Sequence, residues 1–550
     1  MDLLLGFIVA MSVTMVLIPP LMRVAGRAQI LDRPESRKVH TVPIPRVGGI
    51  AMAAGVLLAL ALWGHFDRLL QAFYCGIFVL LVFGVWDDRV TLGWATKLLG
   101  QTLAVLVAMI WGGIRIASVT GADRLPLPPW VSAPLTFLFL IGATNAINLS
   151  DGLDGLAGGM SLLCLGALAL LALTFGNPFV GTVALVIAGA ILGFLRFNTH
   201  PARVFMGDCG SQILGYSVAV LSVSLTQDPS TPVSSALPLL LLGVPVMDTL
   251  VVMTERVVGG RSPFKADRNH LHHKLLALGF DHHEAVMVIY LLQAGLFVAA
   301  WFLRYQPDLT IVLAFGGFAA MLIMTLRLAA RAGWRWRAPL TDTAPASRLG
   351  RHIEWLRAEG RLPRWTGYAS GAAILGYGAI VLLRLPATGD LRTVLLLSAA
   401  AVGLNLAIRW RQPEANWVDK GGLYFGAVLA AYIDGRAPHP GQAVHYLELA
   451  LFGTLALALL LRVWWLRDRQ FSVNPLDLLV IFTAVTVPNL PGSVASPQAL
   501  GATVAKLVLL LYGLELLSVT GSRRWRWFSV AALLFLLGCA AGSLAAGPAS

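Results

Sequence analysis

Apolar residues run along this chain in blocks of about twenty, separated by short polar segments. A helix of ~20 apolar residues crosses the ~30 Å hydrocarbon layer of a bilayer, so each block predicts a membrane span. Eleven such blocks lie near 3–22, 47–64, 69–86, 97–113, 134–149, 157–175, 179–196, 211–227, 236–255, 284–303 and 309–327. A polar, arginine-rich stretch follows, and then about seven more blocks near 367–386, 392–408, 421–434, 443–461, 472–488, 500–519 and 527–547. The expected fold class is all-α: a polytopic helical bundle divided into a core over 1–330, a basic cytoplasmic linker over 331–366 and a membrane extension over 367–550. Within the linker, Leu349–Glu359 fits either a short interfacial helix or solvated chain. The first block has no basic leader or small-residue cleavage site, so it reads as a retained helix.

Composition agrees: 57% of the 550 residues are hydrophobic and 13% charged, far from the mix of a soluble domain. Four scattered cysteines suggest neither a disulfide framework nor a zinc ribbon. The net charge of +13 would point to nucleic acid in a soluble protein. Here it sorts by side. With the N-terminus outside, the inner loops of the first eleven spans carry 24 Lys and Arg and the outer loops four. Basic loops stay in the cytoplasm, so the charge is chiefly a topology signal and no nucleic-acid partner is implied.

On that topology the acids gather on one face. Asp87 and Asp88 close the third span, Asp151 and Asp154 follow the fifth, Asp208 precedes the eighth, and the cluster of His270, His272 and His273 follows the ninth. Asp248 lies within the ninth span. Carboxylates are costly near a bilayer, and several together repel unless a cation or protons intervene. Oxygen donors without cysteine favour Mg²⁺, with Mn²⁺ as the alternative. Gly152, Gly155, Gly158, Gly159, Gly207 and Gly210 allow turns and close approach to a phosphate, and they predict an irregular chain through 151–159. Lys97, Arg203, Lys265 and Arg268 are natural partners of a diphosphate. Asp87 and Asp88 alone also fit a solvated helix end, and the histidines a zinc set or a polar loop. Taken together the pieces describe metal-assisted phosphoryl transfer at a membrane surface.

These residues resemble the polyprenyl-phosphate N-acetylhexosamine-1-phosphate transferases, a family related to the phospho-N-acetylmuramoyl-pentapeptide transferases. The resemblance is carried by Arg37–Gly49, Trp86–Arg89, Lys97–Gln101, Asn145–Gly155, Phe205–Asp208, Pro245–Asp248 and His270–His273, in order over about three-fifths of the chain. It implies a UDP-N-acetylhexosamine donor, polyprenyl phosphate in the inner leaflet as acceptor, and Mg²⁺, with polyprenyl-diphospho-sugar and UMP as products. It implies that Asp208 holds the metal and that Asp87 or Asp88 deprotonates or orients the acceptor. Asn148, Asp151, Asp154 and Phe205 would line the nucleotide pocket, Phe205 by stacking on uracil. The pattern of His270, His272 and His273 looks like the N-acetylglucosamine branch. A bacterial inner-membrane protein with a cytoplasmic active site, starting a surface polysaccharide, is the expected setting, and a homodimer is compatible with it.

The extension does not match that family. Lys506 and Glu515 share one expected span and face opposite ways, so each must find another partner, for function or for packing. Two other function classes fit parts of the sequence, a transporter or flippase for lipid-linked sugars and an inactive scaffold. Transporters gather their ions at the midplane between repeats, however, and here the acids lie at one face without a repeat.

Overall fold

A computed structural model describes residues 3–32, 43–63, 67–121, 124–260, 262, 269–336, 361–384, 399, 426–427, 430–431, 433–434, 441–466, 506, 509–510, 513–514, 517, 534–535 and 537–538. The chain divides into two compact units, one reaching to residue 340 and one built from most of the rest.

In the first unit each expected block is helical, the ninth in two pieces. The helices are α1 (Leu3–Ala28), α2 (Gly48–Trp63), α3 (Arg68–Val90), α4 (Trp94–Leu106, continued as a π turn to Trp111), α5 (Pro129–Leu149), α6 (Leu156–Phe175), α7 (Pro178–Asn198) and α8 (Gly207–Thr226). The short α9 (Pro238–Leu241) leads into α10 (Gly243–Val258), and α11 (Leu271–Ala277), α12 (His282–Leu303) and α13 (Asp308–Arg331) complete it. Among the described residues of the whole chain, eleven helices are long and apolar enough to cross a membrane. The fold is that of an all-α polytopic membrane protein. Two small antiparallel ribbons, Leu31–Asp32 with Ile44–Pro45 and Ser118–Thr120 with Arg124–Pro126, brace the loops.

Burial orders the bundle. α8 is the central helix, 94% buried along its apolar window, with α3, α5, α2 and α6 around it, whereas α13 is 11% buried and lies at the rim. Because lipid tails are as apolar as leucine, burial here reflects close packing between helices rather than escape from water. α3 and α8 meet closely: a Cβ on Gly84 would fall 2.4 Å from the Cα of Cys209. That contact brings the end of α3, with Asp87 and Asp88, against the start of α8.

Three expectations are corrected. The irregular segment is shorter than 151–159, because α6 starts at Leu156. Gly155 ends the loop in the left-handed region at φ 79°, whereas Gly159 lies inside the helix, where a Cβ would fall 1.8 Å from the Tyr290 hydroxyl. The ninth span breaks at Leu242 into α9 and α10. After the linker the helix starts at Arg361 rather than 367.

In the second unit two of the seven expected spans are seen as helices, Arg361–Leu383 and Gln442–Leu466, and they pack on each other. The spans near 392–408, 421–434, 472–488, 500–519 and 527–547 lie wholly or largely outside the described residues, as do Leu349–Glu359 and Glu515. Lys506 is described, and it meets two acids: its Nζ lies 2.5 Å from Asp434 Oδ2 and 2.7 Å from Glu448 Oε2. Arg384 Nη1 closes the square at 2.7 Å from each acid. Of the two readings of this intramembrane lysine, the geometry displays a closed, paired one.

Candidate active site

The site is assembled at the ends of α3 and α5 and the starts of α4 and α8. The α3 segment turns out of its helix at Thr91, whose amide donates to the Asp87 carbonyl, and the Leu92 amide donates to Asp87 Oδ1 at 2.6 Å. Asp88, one residue on, points at α8. Its Oδ1 accepts from the amide of Asp208 at 2.9 Å and its Oδ2 from that of Cys209 at 3.2 Å. Both carboxylate oxygens are thus used on the free amides and positive dipole end of a helix. Gly207 makes room for this: its φ is 71°, and a Cβ there would fall 2.3 Å from Asp88 Oδ2. Asp88 therefore fixes where α8 begins, and with it Asp208.

Asp208 stands in the opening, its side chain 24% exposed. Asn148 at the end of α5 donates to Asp208 Oδ1 at 2.9 Å, and its Nδ2 also lies 2.7 Å from Ser211 Oγ. Lys97 on α4 lies between two acids, 2.6 Å from Asp87 Oδ2 and 3.5 Å from Asp208 Oδ2. One turn further on, Gln101 exchanges amide hydrogen bonds with Asn145, at 2.7 and 3.3 Å, which ties α4 to α5 beneath the acids.

Arg46 was not singled out from sequence, although it lies in the Arg37–Gly49 motif. It pairs with Asp32 and lies 3.7 Å from Asp88 Oδ1, and these carboxylates together with Asp208 hold its guanidinium above its usual pKa despite burial. The motif reaches this place through backbone pairing: Phe205 N donates to Pro45 O at 2.8 Å, Gly48 N to Phe205 O at 2.9 Å, and Gly49 N to Met206 O at 2.9 Å. Two segments 160 residues apart thus form one ledge. Its signal in the sequence was the Pro-Arg-x-Gly-Gly spacing just ahead of a span.

The loop 150–155 carries the other two acids. Asp151 has an exposed surface yet is ringed by protein on the loop, and that crowding, then the Asp208 charge, push its carboxyl up to about 7. Asp154 turns the other way: its Oδ2 accepts from the Ala202 amide at 3.0 Å and lies 2.6 Å from His200 Nδ1. Burial works to raise it, but those bonds outweigh burial and hold it below the usual carboxylate range.

The histidine motif is held by Asp248. His270 Nδ1 lies 2.8 Å from Asp248 Oδ2, and the Leu271 amide donates to Oδ1 at 2.7 Å, so this acid starts α11 and orients His270. His272 is buried against the loop 150–155, where a Cβ on Gly152 would fall 2.4 Å from its ring. Burial and the neighbouring His273 push His272 down to about 3, so it is neutral. The structure thus brings Asp87, Asp88, Lys97, Asn148, Asp151 and Asp208 together, with the His270–His273 segment joined to them through His272, which packs on the 150–155 loop. Phe205 is half-buried on the ledge beside Asp208. Arg203 is exposed, and among the described residues its side chain has no ion pair. Lys265 and Arg268 lie outside the described residues.

Comparison with known proteins fits this arrangement. The profile of glycosyl transferase family 4 matches residues 70–226, from the start of α3 to the end of α8. The chain is 36% identical over 294 residues to a probable undecaprenyl-phosphate N-acetylglucosaminyl 1-phosphate transferase of Bacillus subtilis, covering 53% of this chain and 82% of that one. It is 35% identical over 300 residues to a decaprenyl-phosphate N-acetylglucosaminephosphotransferase of Mycobacterium leprae, covering 48% and 75%. To an undecaprenyl-phosphate alpha-N-acetylglucosaminyl 1-phosphate transferase of Escherichia coli K12 it is 29% identical over 303 residues, covering 53% and 82%. Shared over most of the length of such relatives, and matched across the helices that carry the acids, the chain belongs to the polyprenyl-phosphate N-acetylhexosamine-1-phosphate transferases of glycosyl transferase family 4.

Proposed function

We propose that this protein transfers N-acetylglucosamine 1-phosphate from its UDP donor to undecaprenyl phosphate, giving the lipid diphospho-sugar and UMP, as the first step of a bacterial surface polysaccharide. The donor binds from the cytoplasm, where the basic loops lie. One observation supports the reading above the others. The partly open Asp208 carboxylate lies between Asn148 and Lys97, with Asp87 on the far side of the lysine.

The donor set suits a hard divalent cation. It consists of oxygens alone, and Asp87 Oδ2 and Asp208 Oδ2 share the one ammonium of Lys97, at 2.6 and 3.5 Å. Asp208 and Asp87 are the residues that would hold Mg²⁺, which when bound neutralises charge on the diphosphate. The chain's own groups do the rest. An oxygen of the lipid phosphate attacks the β-phosphorus of the donor, the bond from that phosphorus to the bridging oxygen breaks, and UMP leaves with the electron pair. Lys97 and Arg46 offset the negative charge of two phosphorylated substrates. Asn148 fixes which Asp208 oxygen faces the opening. Asp88 and Asp248 act through what they position, α8 and His270. Phe205 offers a ring for the uracil.

The test is turnover by purified full-length protein in detergent with undecaprenyl phosphate, Mg²⁺ and a panel of UDP-sugars, read as UMP release and lipid-linked sugar by mass. Product from UDP-N-acetylglucosamine is the expected result. Product from another UDP-N-acetylhexosamine alone would move the sugar assignment, and no product from any donor in folded protein would reject the reaction.

A further inference from the structure

A second group of titratable side chains lies on the far side of the 150–155 loop from Asp208. Asp154 in that loop, His200 in the turn after α7, and His282 at the start of α12 each offer one ligand atom, and these atoms lie within 4.8 Å of one another. Three separate elements supply them. The rings of His200 and His282 stack at 4.1 Å and 24°, and His283 meets His200 edge-on at 4.9 Å.

Hydrogen bonding leaves this group incomplete. His200 Nδ1 pairs with Asp154 Oδ2 at 2.6 Å, which holds its ring in this group. His282 Nε2 and His283 Nδ1 are both buried without a hydrogen-bond partner. Buried imidazole nitrogens are ordinarily satisfied, and two orphans beside an oriented third call for a ligand. Two imidazoles and a carboxylate are also a ligand set that borderline divalent ions accept. Nitrogen donors distinguish this group from the oxygen-only cluster around Asp208: imidazole suits borderline ions such as Zn²⁺, carboxylate and water suit Mg²⁺.

We propose that Asp154, His200 and His282 form a binding site for a borderline divalent cation, Zn²⁺ by donor chemistry, with His283 beside it as a further nitrogen donor. The ion would join the 150–155 loop to the turn after α7 and to α12. That loop carries Asp151 on its other side and touches His272, so the ion acts as a clamp on one wall of the opening. The inference does not depend on which sugar is transferred.

The test uses full-length protein in detergent, stripped with a chelator and then titrated with Zn²⁺, or with Co²⁺ for its visible absorption. One Zn²⁺ per chain should remain after desalting, with a Co²⁺ spectrum of nitrogen and oxygen ligation, and Zn²⁺ should raise the melting temperature. His282→Ala and His200→Ala should each weaken binding by at least about tenfold, whereas Asp208→Asn should leave it unchanged. His282→Gln, which keeps the volume, replaces His282→Ala if the smaller side chain unfolds the protein. No Zn²⁺ retained by the wild type would overturn the site. So would Zn²⁺ lost in Asp208→Asn but kept in the histidine variants, which would place the ion among the carboxylates. Turnover enters none of these readouts, so failure here is distinct from failure of the proposed reaction.

Discussion

Each unit of this protein holds a cluster of charges, and the two clusters are built oppositely. In the first unit Asp87, Asp88 and Asp208, with Asp151 close by, face among the described residues only Lys97 and an Arg46 already shared with Asp32. Acids are in excess among the described residues, and Asp208 opens outward at 24% exposed while Asp87 and Asp88 are buried behind it. In the second unit Arg384 and Lys506 meet Asp434 and Glu448 one for one, with the acids 5% and 4% exposed. Tyr377 donates a further hydrogen bond to Asp434 at 3.1 Å. A balanced square has its charges satisfied within the fold and holds helices in register. An acid-rich, open cluster is left with a need for cation, and it can accept an anionic substrate only with that cation. Charge in a membrane protein is thus read by its balance and its access to water, not by its presence.

Variants can break each side of the contrast. The largest effect is expected at Asp208→Asn, on the order of a thousandfold loss of turnover, the several kcal/mol that charge stabilisation by a held metal supplies. Membrane insertion and melting temperature should stay near wild type. In the second unit Glu448→Ala leaves the partly buried Arg384 and Lys506 to share Asp434 alone. It should cost about 3–5 kcal/mol of stability, seen as a lower melting temperature of the full chain, with turnover per folded molecule retained. Asn148→Ala removes a charge-assisted hydrogen bond worth about 1.5–3 kcal/mol, so kcat/KM should fall by about tenfold to a hundredfold while expression is unchanged.

The smallest effect is a pH dependence. Asp151 is pushed up from the ordinary 3.8 to about 7. Between those values the folded chain holds a proton that the unfolded chain releases, so this residue's contribution to stability falls as pH rises through the window. Cation binding should therefore strengthen as Asp151 ionises between pH 6 and 8, on the order of a few-fold, because the Asp208 charge that helps raise it is the charge the cation offsets. Mg²⁺ titrations of wild type and Asp151→Asn at several pH values check this: the rise should be absent in the variant.

The spans and the order of the acids were legible because both are local patterns, an apolar run and a carboxylate at its end. What each acid does was not, since that is set by partners far along the chain. Asp88 and Asp248 read as candidate chemistry or simple pairing, yet each fastens the first amides of a helix, α8 and α11. Arg46 was hidden because its reach depends on residues 45–49 pairing with 205–206. Lys506 was visible as an ion needing a partner, but Asp434 and Glu448 lie 72 and 58 residues away. His200 and His282 attracted no notice because each is a single histidine in its own segment, and only the packing of α12 against α6 brings them together.

The central claim is that the open carboxylate cluster holds the cation on which phosphoryl transfer depends. Mg²⁺-dependent UMP release from UDP-N-acetylglucosamine, measured on full-length wild type and Asp208→Asn in parallel, tests it most directly. The account predicts saturable Mg²⁺-dependent release in the wild type and release on the order of a thousandfold lower in the variant. Wild-type-like release from Asp208→Asn, or release from the wild type that persists after chelation, would contradict it.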